Sequence, residues 1–467
     1  MVFSYQTLCQ KKVEYLIDTG IGLYEDDSDP SVPARLPSCY MPGGSGGSDP
    51  ISKIKERLPN TRSYLTHLRA TREDSPTSDP QDMGDLILGC YSKVWRRNPA
   101  AGSRAEVRKY LESYDISIPD DLIPDLPDTD DFIDAINASN NSSAGPDGIP
   151  FSIIRACNQY DSRLAECLAD MARELARGIL PPPGFNFARF YLLPKEEGGL
   201  VDKTRGLSVS DGVNRLIATV TAKKIEPALK AIILKEQKGF TPEREGTTHV
   251  RNMLDRFYQK LTKKQQYYIL LLDTARAFDT LSHTFLHACL EKTGFPPWVL
   301  CQTRGLLHEV FVFPVLAEVT GHKISIQRGV KQGCPLSPFL FIICINVLLF
   351  KLRDIPGAKR YAFADDLALG IRSVTLILRT LELVKEFGAF SDLHMNLKKT
   401  TLVATFPPSN KTVSRLKEAG WKDIKCTDAG IYLGVLFGRA VTTMEIFAKA
   451  FDKVKARIEL FRNILKT

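Results

Sequence analysis

The sequence has no hydrophobic run long enough to cross a membrane. Its longest apolar segment, residues 339–350, has 12 residues and includes Asn346, whereas a transmembrane helix needs about 20 apolar residues. The first residues, MVFSYQTLCQKK, carry polar side chains where a signal peptide needs an apolar stretch. We therefore expect a soluble, intracellular protein.

Several common metal-binding and catalytic motifs are missing as well. The ten cysteines never form a C-x-x-C pair, which argues against a zinc ribbon and favours reduced thiols. The sequence contains neither a G-x-x-x-x-G-K-[ST] phosphate-binding loop nor an H-E-x-x-H zinc-protease motif. ATP hydrolysis of the Walker type and zinc proteolysis are therefore poor explanations of this chain.

Charge is present in both signs but is unevenly distributed along the 467 residues. The 62 Lys and Arg exceed the 54 Asp and Glu, which gives a net charge of +8. Residues 114–134 hold eight aspartates and no Lys or Arg, whereas residues 395–467 hold 14 basic and 6 acidic side chains. Such a basic segment either binds a polyanion or forms a solvated helix surface. The 43% apolar content predicts a packed core.

Strands and helices are predicted in mixed order without strict alternation, which indicates an α+β fold. Residues 25–50, rich in Asp, Ser, Pro and Gly, are predicted to form a linker. Helices are predicted for residues 86–95, 128–139 (with Thr129 or Asp130 as N-cap), 162–178, 212–234, 249–264, 280–294 and 337–352. Strands are predicted for residues 188–195, 266–273, 310–319 and 322–329, and a hairpin for residues 359–372.

Two adjacent aspartates stand in an otherwise apolar segment, YAFADDLAL. A hairpin turn there would bring the carboxylates of Asp365 and Asp366 to one edge of a sheet. Adjacent carboxylates in apolar surroundings repel each other and are costly to desolvate, so they need a cation. Asp273, at the end of the apolar run ILLLD, offers a third carboxylate if the strands are neighbours, and three such groups can hold two Mg²⁺ ions. A lone Asp-Asp pair, by contrast, is most often a surface turn.

Further motifs occur in a specific order along the chain. They are AGPDGIP (144–150), LLPK (192–195), TRGLSV (204–209), KGFTPEREGTTH (238–249), LLLDTARAFD (270–279), QRGVKQGCPLSPFLF (327–341), YAFADD (361–366), MNLKKT (395–400) and YLGV (432–435). This series resembles the reverse transcriptase domain of non-LTR (LINE-type) retrotransposons and, more distantly, group II intron proteins. The resemblance covers roughly residues 80–440. GVKQGCPLSP followed by FADD is highly specific, whereas LLPK or YLGV alone would be weak.

The resemblance implies a right-hand polymerase with fingers, a palm built on an antiparallel sheet and an incomplete thumb. Residues 1–80 are expected to form an N-terminal extension with the linker, 81–265 the remaining extension and the fingers, 266–440 the palm, and 441–467 the start of the thumb. The implied activity is RNA-directed DNA polymerisation, with dNTPs added to a DNA or RNA primer on an RNA template. Two Mg²⁺ ions, or Mn²⁺, would be the cofactors. A protein from a eukaryotic retroelement would be nuclear or cytoplasmic.

The resemblance also assigns roles residue by residue. Asp273, Asp365 and Asp366 match the carboxylates that bind the catalytic metal ions. Phe278 matches the bulky residue that excludes a ribose 2′-hydroxyl. The other nucleotide-binding candidates are Lys195, Arg205, Arg328, Gln332, Gly333 and Lys399. The primer-grip candidates are Tyr432, Leu433 and Gly434.

Most of these candidates also have an ordinary structural explanation. Phe278 suits a hydrophobic core, Lys195 and Arg205 suit a solvated surface, and the YLG triplet suits any hairpin. Asp279, which ends the same motif as Asp273, is as well explained by helix capping as by a place near the metal.

Two other functions remain open at this point. An RNA-dependent RNA polymerase shares the palm carboxylates, although Phe278 and GVKQGCPLSP argue against it. A degenerate or domesticated copy would bind RNA without polymerising, and loss of one of the three aspartates would have favoured it. All three are present.

Overall fold

The computed structural model describes residues 66–161, 163–196, 198–316 and 322–464. Its helices are α1 (Pro80–Trp95), α2 (Arg104–Tyr110), α3 (Thr129–Asn137), α4 (Phe151–Tyr160), α5 (Arg163–Ala176), α6 (Gly212–Ile232), α7 (Thr247–Thr262), α8 (Ala277–Thr280), α9 (His283–Lys292), α10 (Pro297–Leu306), α11 (Ser337–Lys351), α12 (Val374–Ser391), α13 (Asn410–Glu418) and α14 (Thr443–Ile464). Its strands are β1 (Phe187–Pro194), β2 (Thr204–Ser210), β3 (Tyr268–Leu272), β4 (Val310–Pro314), β5 (Ile324–Ile326), β6 (Lys359–Phe363), β7 (Asp366–Ile371), β8 (Thr401–Ala404), β9 (Lys425–Thr427), β10 (Ala429–Tyr432) and β11 (Val435–Gly438). The predicted linker at residues 25–50 lies outside the described residues.

A five-stranded sheet forms the centre of the fold, in the order β6-β7-β3-β8-β9. The pairs from β6 to β8 are antiparallel, and β9 joins β8 in parallel. Strand β3 is central because its sequence, YILLL, is apolar on both faces and can be covered on both. The mixture of helices with this largely antiparallel sheet confirms the predicted α+β class.

The two faces of this sheet are buried by different elements. Leu270 and Leu369 belong to the main hydrophobic core, together with residues of α11 and α12. Ile269 and Ala368, on the opposite face, pack with side chains of α7 and of the β10–β11 hairpin. Successive residues of a strand point to opposite faces, so the apolar runs of β3 and β7 serve both layers at once.

A second sheet, in the order β2-β1-β4-β5, is covered by α1. The helix buries Met83, Ile87, Tyr91 and Trp95, which recur every four residues and therefore share one face. Phe190 of β1 meets Tyr91 and Trp95 in edge-to-face contacts. These aromatic contacts fix α1 on the sheet that leads to the candidate site.

The predicted elements are present, with shifts at their ends. Helix α1 begins at Pro80 rather than residue 86, because Asp79 caps the helix and proline suits its first turn. The N-cap of α3 is Asp128, which forms a capping box with Asp131, so the prediction of Thr129 or Asp130 was wrong by one or two positions. The strand predicted for residues 310–319 ends at Pro314.

The helix α14 carries several exposed apolar side chains. Met444 is 79% exposed, and Phe451, Val454 and Ile458 also face solvent.

Within the described residues, no helix is both long and apolar enough to span a bilayer. Cys289 and Cys344 are buried in the core as free thiols.

Candidate active site

Three carboxylates come together at one end of the central sheet. Leu272, the last residue of β3, pairs with Leu367 of β7, so Asp273 continues β3 beside Asp366 at the start of β7. Phe363 and Asp366 are paired across the β6–β7 hairpin, which leaves Ala364 and Asp365 as its two-residue turn. The expectation that these strands are neighbours is thereby confirmed.

Burial and mutual repulsion both act on these carboxyl groups. Burial, followed by the charges of Asp365 and Asp273, raises the pKa of Asp366 to about 6. Burial is also the main cause that raises the pKa of Asp365, and the charge of Asp273 adds to it. Burial raises the pKa of Asp273 too, although Lys399 and a hydrogen bond from Asn396 oppose the shift. A bound cation would therefore stabilise the ionised forms of all three carboxyl groups.

Three cations, Lys195, Arg205 and Lys399, lie within electrostatic reach of the carboxylates. Lys195 follows β1 directly, and Arg205 lies in β2, where it pairs with Leu193 across the antiparallel ladder. Burial lowers the pKa of Lys195, and the neighbouring charges of Arg276, Arg205 and Lys399 contribute to this shift. Because these cations repel one another, they can bind the negatively charged phosphates of a nucleotide.

The donor set fits a divalent cation that is completed by substrate. Among the described residues, no three Asp, Glu, His or Cys side chains already form a metal-holding group. Mg²⁺ usually takes only one or two carboxylates from the protein and completes its shell with water and substrate phosphates. Asp273, Asp365 and Asp366, whose pKa values are raised by burial and by one another, supply oxygen ligands of this kind.

Phe278 lies in α8, five positions after Asp273, within a stack of aromatic rings. Its ring is nearly parallel to that of Phe341, with an angle of 16° and centroids 4.6 Å apart. Phe240 meets it edge-on, with centroids 5.9 Å apart. Since Phe341 is fully buried in α11, the half-buried Phe278 ring is fixed in orientation.

The loop before α11 is bound to the segment around α8 by backbone hydrogen bonds. Gly329 N donates to the Leu281 carbonyl and Val330 N to the Phe278 carbonyl, each over 2.7 Å. Gln332 Nε2 lies 3.4 Å from Asp279 Oδ1, and the Gln332 carbonyl accepts from Ser208 N over 2.7 Å. These bonds bring Gln332 close to the segment that carries Phe278.

Gly333 occupies a position that a side chain cannot fill. Its φ is +113°, and a Cβ there would lie 2.4 Å from the Ser208 carbonyl oxygen. The loop therefore approaches β2 so closely that only glycine fits. Gln332 and Gly333 thus bridge β2 and α8.

Arg328 makes its contacts on another part of the molecule. Its Nη1 lies 2.5 Å from Asp392 Oδ2, and its Nε donates to the Val94 carbonyl over 2.7 Å. The side chain borders a cleft of about 1150 Å³ that Arg97 and His283 also line. These contacts do not bring Arg328 together with the carboxylates, because its guanidinium is committed to an ion pair.

Asp279 does not cap a helix. It lies inside α8, whose N-cap is Arg276, and it is almost fully buried. Burial raises the pKa of its carboxyl group, while Arg276 and Lys195 oppose the shift. The capping explanation of Asp279 is therefore wrong.

The primer-grip candidates form the tip of the β10–β11 hairpin. Tyr432 pairs with Val435, and the turn residues Leu433 and Gly434 have φ values of +47° and +82°. Tyr432 packs with α7 and Ala368 behind the carboxylates. Burial raises the pKa of its hydroxyl, and the charge of Asp366 contributes. The hairpin tip therefore lies near Asp366.

Sequence reasoning missed a buried lysine beside Gln332. Lys331 is 3% exposed, and its Nζ donates to Ser210 Oγ over 3.0 Å and to Asn214 Oδ1 over 3.3 Å. Burial lowers the pKa of its ammonium group, whereas Asp211 favours the charged form. Its place inside GVKQG was the one available signal, but its burial depends on β2 and α6.

Comparison with known proteins gives a consistent result. Residues 193–436 match the family described as reverse transcriptase (RNA-dependent DNA polymerase). The Pol polyprotein of the type-1 retrotransposable element R2 from Popillia japonica is 29% identical over 61% of this chain and 40% of its own length. The corresponding protein of the type-2 element R2DM from Drosophila melanogaster is 27% identical over 66% of this chain and 30% of its own. A 149 kDa protein of transposon TX1 from Xenopus laevis is 21% identical over 81% of this chain.

The chain spans less than half the length of these relatives. The family match, however, covers more than half of the chain and extends from β1 to β11, including the three aspartates. Reverse transcriptases generally use divalent metal ions, for which the carboxylates at the end of the central sheet are suitable ligands. The chain therefore belongs to the reverse transcriptase family, with relatives among the Pol proteins of R2 non-LTR retrotransposons.

Proposed function

We propose that this chain is the polymerase core of a non-LTR retroelement protein. It extends the 3′-hydroxyl of a DNA or RNA primer with dNTPs on an RNA template. The reaction uses two Mg²⁺ ions, which Mn²⁺ can replace. The observation that supports this proposal is the meeting of Asp273, Asp365 and Asp366 at one sheet edge, with Lys195 and Arg205 close by.

The three aspartates would bind the two ions. The bound ions would activate the attacking hydroxyl and neutralise the charge on the departing pyrophosphate. Lys195 and Arg205 bind the triphosphate, and Lys399 meets the pyrophosphate as a charge or a general acid. Phe278 lies beneath the sugar, where its fixed ring leaves no room for a 2′-hydroxyl.

Gln332 and Gly333 position the incoming nucleotide, and Tyr432, Leu433 and Gly434 hold the primer end. Arg328 contributes indirectly, because its ion pair with Asp392 anchors the start of the same loop. The basic segment from residue 395 onward grips the backbone of the template–primer duplex.

Primer extension on poly(rA)/oligo(dT) with Mg²⁺ tests the catalytic assignment. Replacing Asp365 with Asn removes one charged ligand at nearly constant volume. We expect a loss of several kcal/mol of transition-state stabilisation, on the order of 10³-fold in rate. Asp134→Asn removes an exposed carboxylate in α3, outside the candidate site and the basic segment, and should leave the rate unchanged.

The result is decisive in either direction. Synthesis by Asp365→Asn at the wild-type rate would refute the role of the carboxylates. A wild type that binds template but extends nothing would favour the degenerate RNA-binding alternative. Equal use of UTP and dTTP would instead favour an RNA polymerase.

A further inference from the structure

Residues 236–239, a short segment after α6, lie along the β6 edge of the β6–β7 hairpin, here called the catalytic hairpin. Ala362 N of β6 donates to the Glu236 carbonyl over 3.0 Å, and Lys238 N donates to the Ala362 carbonyl over 2.8 Å. The segment is also held from its other side by Arg244. The guanidinium of Arg244 donates to four backbone carbonyls, those of Lys230, Ile233, Leu234 and Gln237.

Gln237, in the middle of this segment, is fully buried and binds the turn of the hairpin. Its Oε1 accepts hydrogen bonds from Ala364 N and from Gly239 N, both over 2.8 Å. Its Nε2 donates to the Ala364 carbonyl over 3.2 Å. One side chain therefore satisfies both backbone polar groups of Ala364.

Ala364 needs this support for two reasons. Its φ is +54°, in the left-handed region that residues with a Cβ rarely adopt. The β6–β7 ladder ends at the pair Phe363–Asp366, so the turn residues have no partners within the ladder. Buried backbone groups without partners are costly, and the amide of Gln237 supplies both partners.

The segment can approach the turn only because residue 239 is glycine. A Cβ on Gly239 would lie 2.3 Å from Ala364 N. The close backbone contact and the two-way bonding by Gln237 together leave Ala364 little freedom to move. Ala364 immediately precedes Asp365, so its conformation sets where the two carboxylates of the hairpin emerge.

We propose that Gln237 is a positioning residue of the polymerase site. It holds the left-handed turn at Ala364, and it thereby keeps Asp365 and Asp366 in place opposite Asp273. This inference rests on the proposed catalytic role of the three carboxylates, which Gln237 itself does not touch in the described contacts.

The test replaces Gln237 with Met, which keeps the length of the side chain and removes its hydrogen bonds. Gln302→Met is the matched control. Gln302 is also fully buried and makes two side-chain hydrogen bonds against the three of Gln237, since its Oε1 accepts from the Thr221 hydroxyl over 2.7 Å and its Nε2 donates to the Ala172 carbonyl over 2.8 Å. Gln302 lies in α10, outside the catalytic hairpin, so general destabilisation is common to both variants.

Two measurements separate positioning from stability. The first is hydrogen exchange of the Ala364 amide in the metal-free protein, which we expect to be at least about tenfold faster in Gln237→Met and unchanged in Gln302→Met. The second is primer extension, in which Gln237→Met should lower kcat about 10- to 100-fold, as for other residues that orient metal ligands. It should also raise the divalent-ion concentration needed for half-maximal rate, whereas loss of folded protein alone would not.

Exchange at Ala364 within twofold of the wild type would overturn the inference, as would a fall in kcat no larger than that of Gln302→Met. If Gln237→Met does not fold, Gln237→Asn serves instead, because it stays neutral and withdraws the amide from Ala364 by the length of one methylene group. It should then show faster exchange and a smaller loss of kcat, and wild-type values for both would contradict the role. A wild type that extends no primer would refute the proposed function, while the exchange measurement would still decide whether Gln237 fixes the turn.

Discussion

Phe278 illustrates how one side chain acquires a defined orientation from its neighbours. The ring is half-buried and stacked on Phe341, which is itself rigid because the apolar helix α11 is buried all round. Such a ring cannot rotate away from a ligand without breaking its stack. The proposed exclusion of a 2′-hydroxyl requires a fixed ring of this kind.

Replacing Phe278 with Val should relax the choice of sugar. A smaller side chain leaves room for a 2′-hydroxyl, and pocket contacts of this size are worth about 1–3 kcal/mol. We expect the preference for dTTP over UTP, measured as the ratio of kcat/KM values, to fall at least about tenfold. Phe313→Val, which removes another half-buried ring, in edge-to-face contact with Phe187, should leave the ratio intact. An unchanged ratio in Phe278→Val would count against the assignment.

Gly333→Ala should weaken the loop that we propose positions the nucleotide. The new Cβ would collide with the Ser208 carbonyl, and a positive φ costs about 1–3 kcal/mol for a residue with a side chain. We expect a lower melting temperature and a higher KM for dNTPs. Gly89→Ala is the matched control, because Gly89 lies exposed in α1 with open space around it and alanine favours the helix by about 0.5–1 kcal/mol. A variant at Gly333 as stable as that control would disprove the clash.

Asp211, a half-buried carboxyl group directly before α6, interacts by charge with Lys331 of the loop that carries Gln332. Burial, followed by the charge of Asp147, raises the pKa of Asp211 to about 7, although Lys331 opposes the shift. The folded protein then retains a proton that the unfolded chain releases. This contribution to stability is complete below the ordinary pKa of 3.8 and disappears as the pH rises through about 7.

Asp211→Asn should therefore flatten the pH dependence of stability. From pH 5 to pH 8, the free energy of unfolding of the wild type should decrease relative to that of the variant, as measured by denaturant titration. Asp134→Asn, at an exposed position in α3, should follow the wild type. Parallel curves for wild type and Asp211→Asn would show that the burial of this carboxyl group has no such effect.

At the scale of secondary-structure elements, local apolar patterns predicted a helix at α1 and a strand at β3. The four-residue spacing of Ile87, Tyr91 and Trp95 falls within the helix predicted for residues 86–95, and the apolar run of β3 predicts a strand covered on both sides. Element ends were less certain, because capping by Asp79 or Asp128 competes with equally good caps nearby. The domain boundaries near residues 80, 265 and 440 stay predictions.

The candidate site was predictable to the extent that its residues occur in motifs. Asp273, Asp365 and Asp366 follow from the sequence, and the neighbouring strands that unite them were correctly expected. Lys331 and Gln237 were not predictable in this way, because both look like ordinary polar residues and become buried only through contacts with distant elements. The ion pair of Arg328 with Asp392 escaped notice for the same reason.

At the scale of the whole molecule, acidic residues are concentrated at positions 114–134 and basic residues at positions 395–467. Helix α14 bears exposed apolar residues on one face, whereas Lys453 and Arg457, four positions apart, share another. Phosphate contacts release counterions, so affinity for a template–primer duplex should fall steeply with salt. The net charge of +8 does not reveal this, because it adds the acidic and the basic segments together.

Neutralising this basic face should reduce the salt dependence. In Lys453→Gln with Arg457→Gln, the slope of log affinity against log salt should become shallower by about 1.5, or roughly 0.7–0.9 per lost phosphate contact. Fluorescence anisotropy with a labelled duplex measures it. Lys230→Gln is the control, since Glu226 and Glu243 already pair with Lys230. A slope that does not change would place the duplex elsewhere.

The order of strands in the central sheet has a consequence for how the protein forms. Both neighbours of β3, namely β7 and β8, come from far later in the chain, so β3 has no local partner when it is synthesised. Pairing of such distant segments is slow, because the entropy of closing a long loop must be overcome first. Asp273 therefore stays apart from the other two carboxylates until the sheet closes around β3. A chain in which β3 has not yet paired with β7 therefore lacks the carboxylate cluster of the candidate site.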